Sequence, residues 1–126
     1  MAGMTNARRQ ITDDLEAAGL VVEDHVPENV VPPLVFIRPA SPMLEESDTL
    51  DSTEFVYRIG LLIVAENQPN AEAIASLEEV VEQVIYHLGD WSIETIEQPF
   101  MAQAGGNEFP AVQVVISTQI TIEGGN

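Results

Sequence analysis

Two periods of hydrophobic spacing run through this chain. Ile11, Leu15 and Ala18 recur at helical spacing, which predicts a first helix capped by Thr5 or Asn6 and stopped by Gly19 near Ala18. A second helix is predicted over Ala71 to Leu88, where Ile74, Leu77, Val81, Val84 and Leu88 form one apolar stripe. Glu72, Glu78, Glu79 and Glu82 lie mostly away from that stripe, and Gly89 ends the helix. Elsewhere the period falls to two. Val112, Val114, Ile116, Ile120 and Ile122 alternate with Gln113, Ser117, Gln119 and Thr121, predicting a last strand of about eleven residues, long against a typical five or six. A strand of that length is expected to reach beyond its own sheet.

Between these elements lie less regular segments. "EFVYRIGLLIVAE", residues 54–66, is apolar on both alternating sets and predicts a central strand covered on both sides. Two prolines precede Leu34 to Arg38, which is expected to be a short strand ended by Pro39. Leu20 to Val22 is a short apolar stretch, and Trp91 to Glu97 predicts a strand anchored by Ile93 and Ile96. The expected architecture is an α+β, two-layer domain with a mostly antiparallel sheet of four to five strands and two flanking helices. One domain would span residues 1–126, with a long acidic loop at 40–54 and a second loop at 99–108.

Charge changes the picture most. Twenty-one Asp and Glu residues stand against four bases, Arg8, Arg9, Arg38 and Arg58, for a net charge of −17. Lysine is missing altogether, and a genome rich in G and C would exchange it for arginine, which is scarce too. Selection against positive charge accounts better for both, and suits a protein kept soluble in high salt. Such a balance opposes nucleic-acid binding by counterion release. With no cysteine, disulfides, thiolate metal sites and a cysteine nucleophile are excluded. The longest apolar run, Ile59 to Ala65, has the length of a strand, so no membrane partner is expected. Arg8 and Arg9 do not open a signal peptide, because Gln10, Thr12, Asp13 and Asp14 follow.

Candidate chemistry is sparse. The stretch "LEESDTLDSTE" gathers Glu45, Glu46, Asp48, Asp51 and Glu54. An EF-hand requires oxygen ligands at its first, third and fifth positions and glycine at its sixth. Counted from Asp48, the third position is Leu50 and the sixth is Thr53, so the motif fails. A solvated acidic surface is the ordinary alternative. His25 and His87 have no spaced partner, and no nucleophile elbow or phosphate loop is present. No cofactor, metal site or catalytic group is expected. Arg58 lies inside an apolar strand and calls for a carboxylate, either in its own chain or across an interface; Arg38 has the same two options. Phe100, Met101 and Phe109 stand in a polar stretch as satellite core or as an exposed contact patch.

Taken together, the order of segments resembles the tail terminator family of long-tailed bacteriophages and related archaeal viruses, also called tail completion, minor tail or neck proteins. The similarity is carried by "AAGL", "PENVVPPLVFIRP", "VYRIGLLIVAE", "AEAIASLEEVVEQVIYHLGDW", "IETIEQPF" and "FPAVQVVISTQITIE". It spans nearly the whole chain, and rests on order, length and texture without a catalytic signature. Extreme acidity departs from the usual family composition and fits a virus of a salt-loving host.

The resemblance implies a hexameric ring on the completed tail tube, contacting the tube protein on one side and the head–tail connector on the other. Assembly would occur in the host cytoplasm, and the protein would reside in the virion. Six copies would carry −102, six times the chain's −17, and negative charge towards a channel would let genomic DNA slide through without specific binding. Expected subunit contacts are Met43, Leu44, Leu50, Arg58, Phe100, Met101 and Phe109. The five acids of the loop, Glu45, Glu46, Asp48, Asp51 and Glu54, are expected to face the channel or solvent. Alternatives are another ring-forming component such as an adaptor, a stopper or a tube subunit, or a small acidic protein-binding module from a halophile. The second helix argues against the predominantly β stoppers and tubes.

Overall fold

A computed structural model describes residues 3–25, 30–46, 53–67, 71–104 and 106–122. Its elements are α1 (Met4–Ala17), β1 (Val21–Glu23), β2 (Leu34–Glu46), β3 (Glu54–Val64), α2 (Ala71–Tyr86), β4 (Ser92–Ile96), β5 (Phe100–Ala104) and β6 (Asn107–Thr121). The fold is α+β: two helices and a six-stranded sheet in the order β1-β2-β3-β6-β4, with β5 paired to the start of β6. Only β1 and β2 run parallel; the other pairings are antiparallel.

β3 and β6 form the spine, in register from Glu54 opposite Thr121 to Val64 opposite Ala111. On one face Tyr57, Ile59, Leu61 and Ile63 of β3 meet Val112, Val114, Ile116 and Ile120 of β6. Ala7, Ile11 and Leu15 of α1 and Leu77, Val80 and Val84 of α2 close over them. Removing this apolar surface from water is the main force holding helices to sheet. α1 ends as expected at Gly19, at φ +89. The Leu20 amide donates to the Leu15 carbonyl and the Gly19 amide to that of Glu16, at 3.1 and 2.9 Å, which satisfies two terminal carbonyls.

Several expectations are corrected. The two-layer arrangement is not the one that forms, because apolar residues gather on both sides of the sheet. Leu34, Phe36, Val64 and Ala111 make a second cluster on the face away from the helices, joined by Leu62, Ala102 and Phe109. Six strands replace four to five, since two short segments, β1 and β5, also find partners. The 40–54 segment is not a loop throughout: residues 40–46 continue β2, and Leu44, Glu45 and Glu46 lie opposite Tyr57, Val56 and Phe55. Proline at position 39 does not end the strand, because β1 covers β2 only at residues 34–36. Beyond them β2 pairs with β3 alone among the described residues, and proline is tolerated on such an edge strand. A register shift between Pro39 and Leu44 absorbs the irregularity.

The 99–108 loop is likewise largely a hairpin, β5 into β6, with Ala104 opposite Asn107. β6 consequently runs for 15 residues, not eleven. α1 begins at Met4, one residue before the proposed cap Thr5, with Gly3 at the N-cap and no side-chain cap. In α2, Val80 is buried while Ile74 stands 48% exposed, so the buried stripe is rotated from the predicted one. α2 itself ends at Tyr86, and Leu88 is buried just beyond it. Among the described residues no helix is long and apolar enough to cross a membrane.

Candidate functional site

The face of the sheet opposite the helices carries its chemistry. Val56, Arg58, Gly60 and Leu62 of β3 alternate with the core set, so the guanidinium of Arg58 emerges on this face. Its side chain is only 15% exposed. Arg58 Nε donates to Glu94 Oε2 at 2.7 Å and to Oε1 at 2.9 Å, and Nη2 donates to Glu45 Oε1 at 2.8 Å. One arginine thus ties β3 to β2 on one side and to β4 on the other. Its remaining nitrogen, Nη1, is buried with no hydrogen-bond partner in the structure.

Two local features permit that reach. Ser117 of β6 lies opposite both Arg58 of β3 and Ser92 of β4, and its short side chain leaves room for the guanidinium to cross β6. Glu94 is the extra residue of a bulge, where the β4–β6 register shifts between Ile93 and Thr95. Bulges re-aim side chains, and this one turns Glu94 towards Arg58. The hydrogen bond from Arg58, with a smaller contribution from Ser117, holds the Glu94 carboxyl below the usual glutamate range. The same contacts, Glu94 first and then Glu45, push Arg58 upward.

Arg38 repeats the device one register further along. It lies opposite Gly60, and Arg38 Nη2 donates to Gln113 Oε1 of β6 across β3. A Cβ on Gly60 would stand 2.8 Å from Gln113 Nε2, so the absence of a side chain there makes the crossing possible. Arg58 therefore finds its carboxylates inside the chain, whereas Arg38 is bridged to an amide, Gln113, and not to the carboxylate expected for it.

Beside Arg38 a cleft of about 460 Å³ opens between the end of β1, β2 and the β5 strand. Phe36, Leu62, Phe100, Met101 and Phe109 line it, with Asp24 and His25 at the rim. His25 Nδ1 lies 2.8 Å from Asp24 Oδ1. That hydrogen bond raises the imidazole above its ordinary value and lowers the carboxyl.

The proposed contact residues fall into three groups. Met43, Phe100 and Met101 are exposed, on β2 and β5. Leu44 packs partly buried against the main core, opposite Tyr57, and Phe109 packs against the second cluster. Arg58 is engaged as described. Of the acids, Glu45 and Glu46 are exposed on β2, and Glu54 is half-buried at the start of β3. Leu50, Asp48 and Asp51 lie outside the described residues. Among the described residues no three carboxylate or imidazole groups gather as a metal site. Glu94 escaped sequence reasoning because its partner lies 36 positions away, and nothing local marks the bulge that aims it.

No protein-family model matches the chain, and no curated protein matches it at a significant level.

Proposed function

We propose that this chain is a structural subunit of a virus particle, of the tail-terminator kind, and not an enzyme. It would assemble as a six-membered ring that caps the tail tube and meets the head–tail connector. The observation that carries this reading is an open sheet whose two terminal strands, β1 and β4, lie at opposite ends of the strand order. All five residues of β4 are exposed, and Ile93, Ile96 and nearby Ile74 stand 40–48% exposed. A free apolar edge is a liability unless another chain covers it. The charged face supports the passage of DNA without sticking, since its two arginines are already bound to Glu45, Glu94 and Gln113. Phosphates would find Arg58 neutralised by two carboxylates and Arg38 as the remaining arginine on that face, among an excess of acids.

Native mass measurement and negative-stain imaging over a range of salt test this directly. A six-membered ring with a central opening is expected; a chain that stays monomeric at every salt concentration would sink the reading. A single-copy protein-binding module is favoured by one observation only, the cleft lined by Phe100, Met101 and Phe109. It predicts a monomer.

A further inference from the structure

The four arginines divide into two pairs with different fates. Arg58 is ion-paired within the sheet and Arg38 is hydrogen-bonded to Gln113 across β3. Arg8 and Arg9 are exposed on α1 and form no ion pair among the described residues. They line a shallow hollow with Thr5, Thr12, Val22 and Ile37, at the end of the sheet where β1 is terminal. Glu23 and Asp24 share this hollow, and Asp24 is turned to His25. The local charge is therefore balanced, in a protein that is strongly acidic almost everywhere else.

At the other end, where β4 is terminal, a groove of about 280 Å³ runs between α2 and the segment leaving β4. Ile74, Val81, Ile96 and Pro99 supply its apolar lining, and Glu78, Glu82 and Glu97 its charged rim. No arginine or lysine lines this groove, and Arg58, the base that reaches β4, is already paired with Glu94 and Glu45. Covering the groove with an acidic surface would press like charges together in a desolvated contact, a costly arrangement. Within this chain Arg8 and Arg9 are the two bases that stand together, exposed and without a side-chain ion pair among the described residues.

We propose that a second copy of this chain is the occupant: the α1–β1 edge of one copy docks against the α2–β4 edge of the next. Arg8 and Arg9 approach Glu78 and Glu82, and the groove's apolar lining is covered. The two surfaces differ, so the contact is heterologous and repeats head to tail, generating a closed ring or an open filament. Closure into six rests on the ring reading above; the edge pairing does not. Salt acts on it in two opposed ways. Repulsion between copies of net charge −17 acts over a Debye length, roughly 10 Å at 0.1 M salt and 3 Å at 1 M. Ion pairs in contact are screened less, so association strengthens as salt rises through that range.

Two double variants test the pairing, Arg8→Glu with Arg9→Glu, and Glu78→Arg with Glu82→Arg. Each changes exposed positions, and far-UV circular dichroism checks that each folds. Sedimentation at several salt concentrations then measures association of each variant alone and of the two mixed. Each alone is expected to lose at least about tenfold in association constant, the order of effect seen for interfacial charge pairs. Mixing should restore assembly, because each variant's altered edge then faces a complementary one. If both variants assemble like the unaltered chain, or if the folded variants stay apart when mixed, the edge pairing is overturned while the ring reading stands. An unaltered chain that is monomeric at every salt concentration overturns both.

Discussion

On β3, Tyr57, Ile59, Leu61 and Ile63 lie under the helices, while Val56, Arg58, Gly60 and Leu62 occupy the other face. The first set is held mainly by burial: Ile59, Leu61 and Ile63 are at most 1% exposed within the main core. On the second face an apolar patch at the Leu62–Val64 end gives way to two arginine bridges. Burial is non-directional and tolerates repacking. The bridges depend on the identity of residues on neighbouring strands, Ser117 and Gly60 above all. One face supplies stability, and the other fixes which strands lie side by side.

The largest effect is therefore expected on the helix-covered face. Leu61→Ala should cost about 2–5 kcal/mol, the range for emptying a well-packed leucine site, measured by chemical denaturation in salt. On the charged face, Glu94→Ala leaves Arg58 with Glu45 as its sole ionic partner. A loss of about 1–2 kcal/mol is expected, since the site is partly exposed and the pair is accordingly weakened. If Glu94→Ala costs as much as Leu61→Ala, the division between the faces is wrong.

The charged face should also show its own pH dependence. The folded Glu94 carboxyl lies below the ordinary value of 4.5, so the unfolded chain binds its proton more readily. Its contribution is present above that ordinary value and is lost as pH falls through the lowered folded one. Glu94→Gln should flatten the acid limb of a stability–pH curve; a Leu61 variant should only displace that curve downwards.

Smaller effects separate backbone from side-chain causes. Gly19→Ala forces an alanine to φ +89 at the end of α1, and a cost of about 1 kcal/mol is expected. Gly60→Val has no such backbone penalty but displaces Gln113, and about 1 kcal/mol or less should be lost with the Arg38 bridge. Smallest of all, Asp24→Asn should return the His25 titration, followed by NMR, towards its ordinary value without a measurable change in stability. Both side chains are largely in solvent.

The elements legible in the sequence were those whose signal is local. α2 and β6 each repeat one spacing, and β3 is largely apolar on both of its alternating sets, all over eleven residues or more. Pro39 misled because the rule about proline concerns a lost donor, and whether that donor matters depends on β1, a three-residue strand elsewhere in the chain. β5 was hidden because Phe100 to Ala104 has no alternation to display. Ile74 fits the apolar stripe of α2 by spacing, yet the sheet ends before it is covered. The candidate site was legible only in part. Arg58 demanded a carboxylate, but Glu94 could be chosen from twenty-one acids only once the bulge and Ser117 were in place.

β6 is the partner of three strands, β3, β4 and β5, and it is the last described element to be synthesised. During translation the β2–β3 hairpin must therefore wait with the inner edge of β3 bare. Pairings between residues so distant along the chain form slowly, and unpaired edges invite association between nascent chains. Glu45, Glu46 and Glu54 sit at the turn end of that waiting hairpin, where like charge keeps two unfinished copies from zipping together. A chain cut short before Asn107 is expected to bind an apolar dye that the full chain excludes. On this view the acidity of the chain also protects it while it is being made.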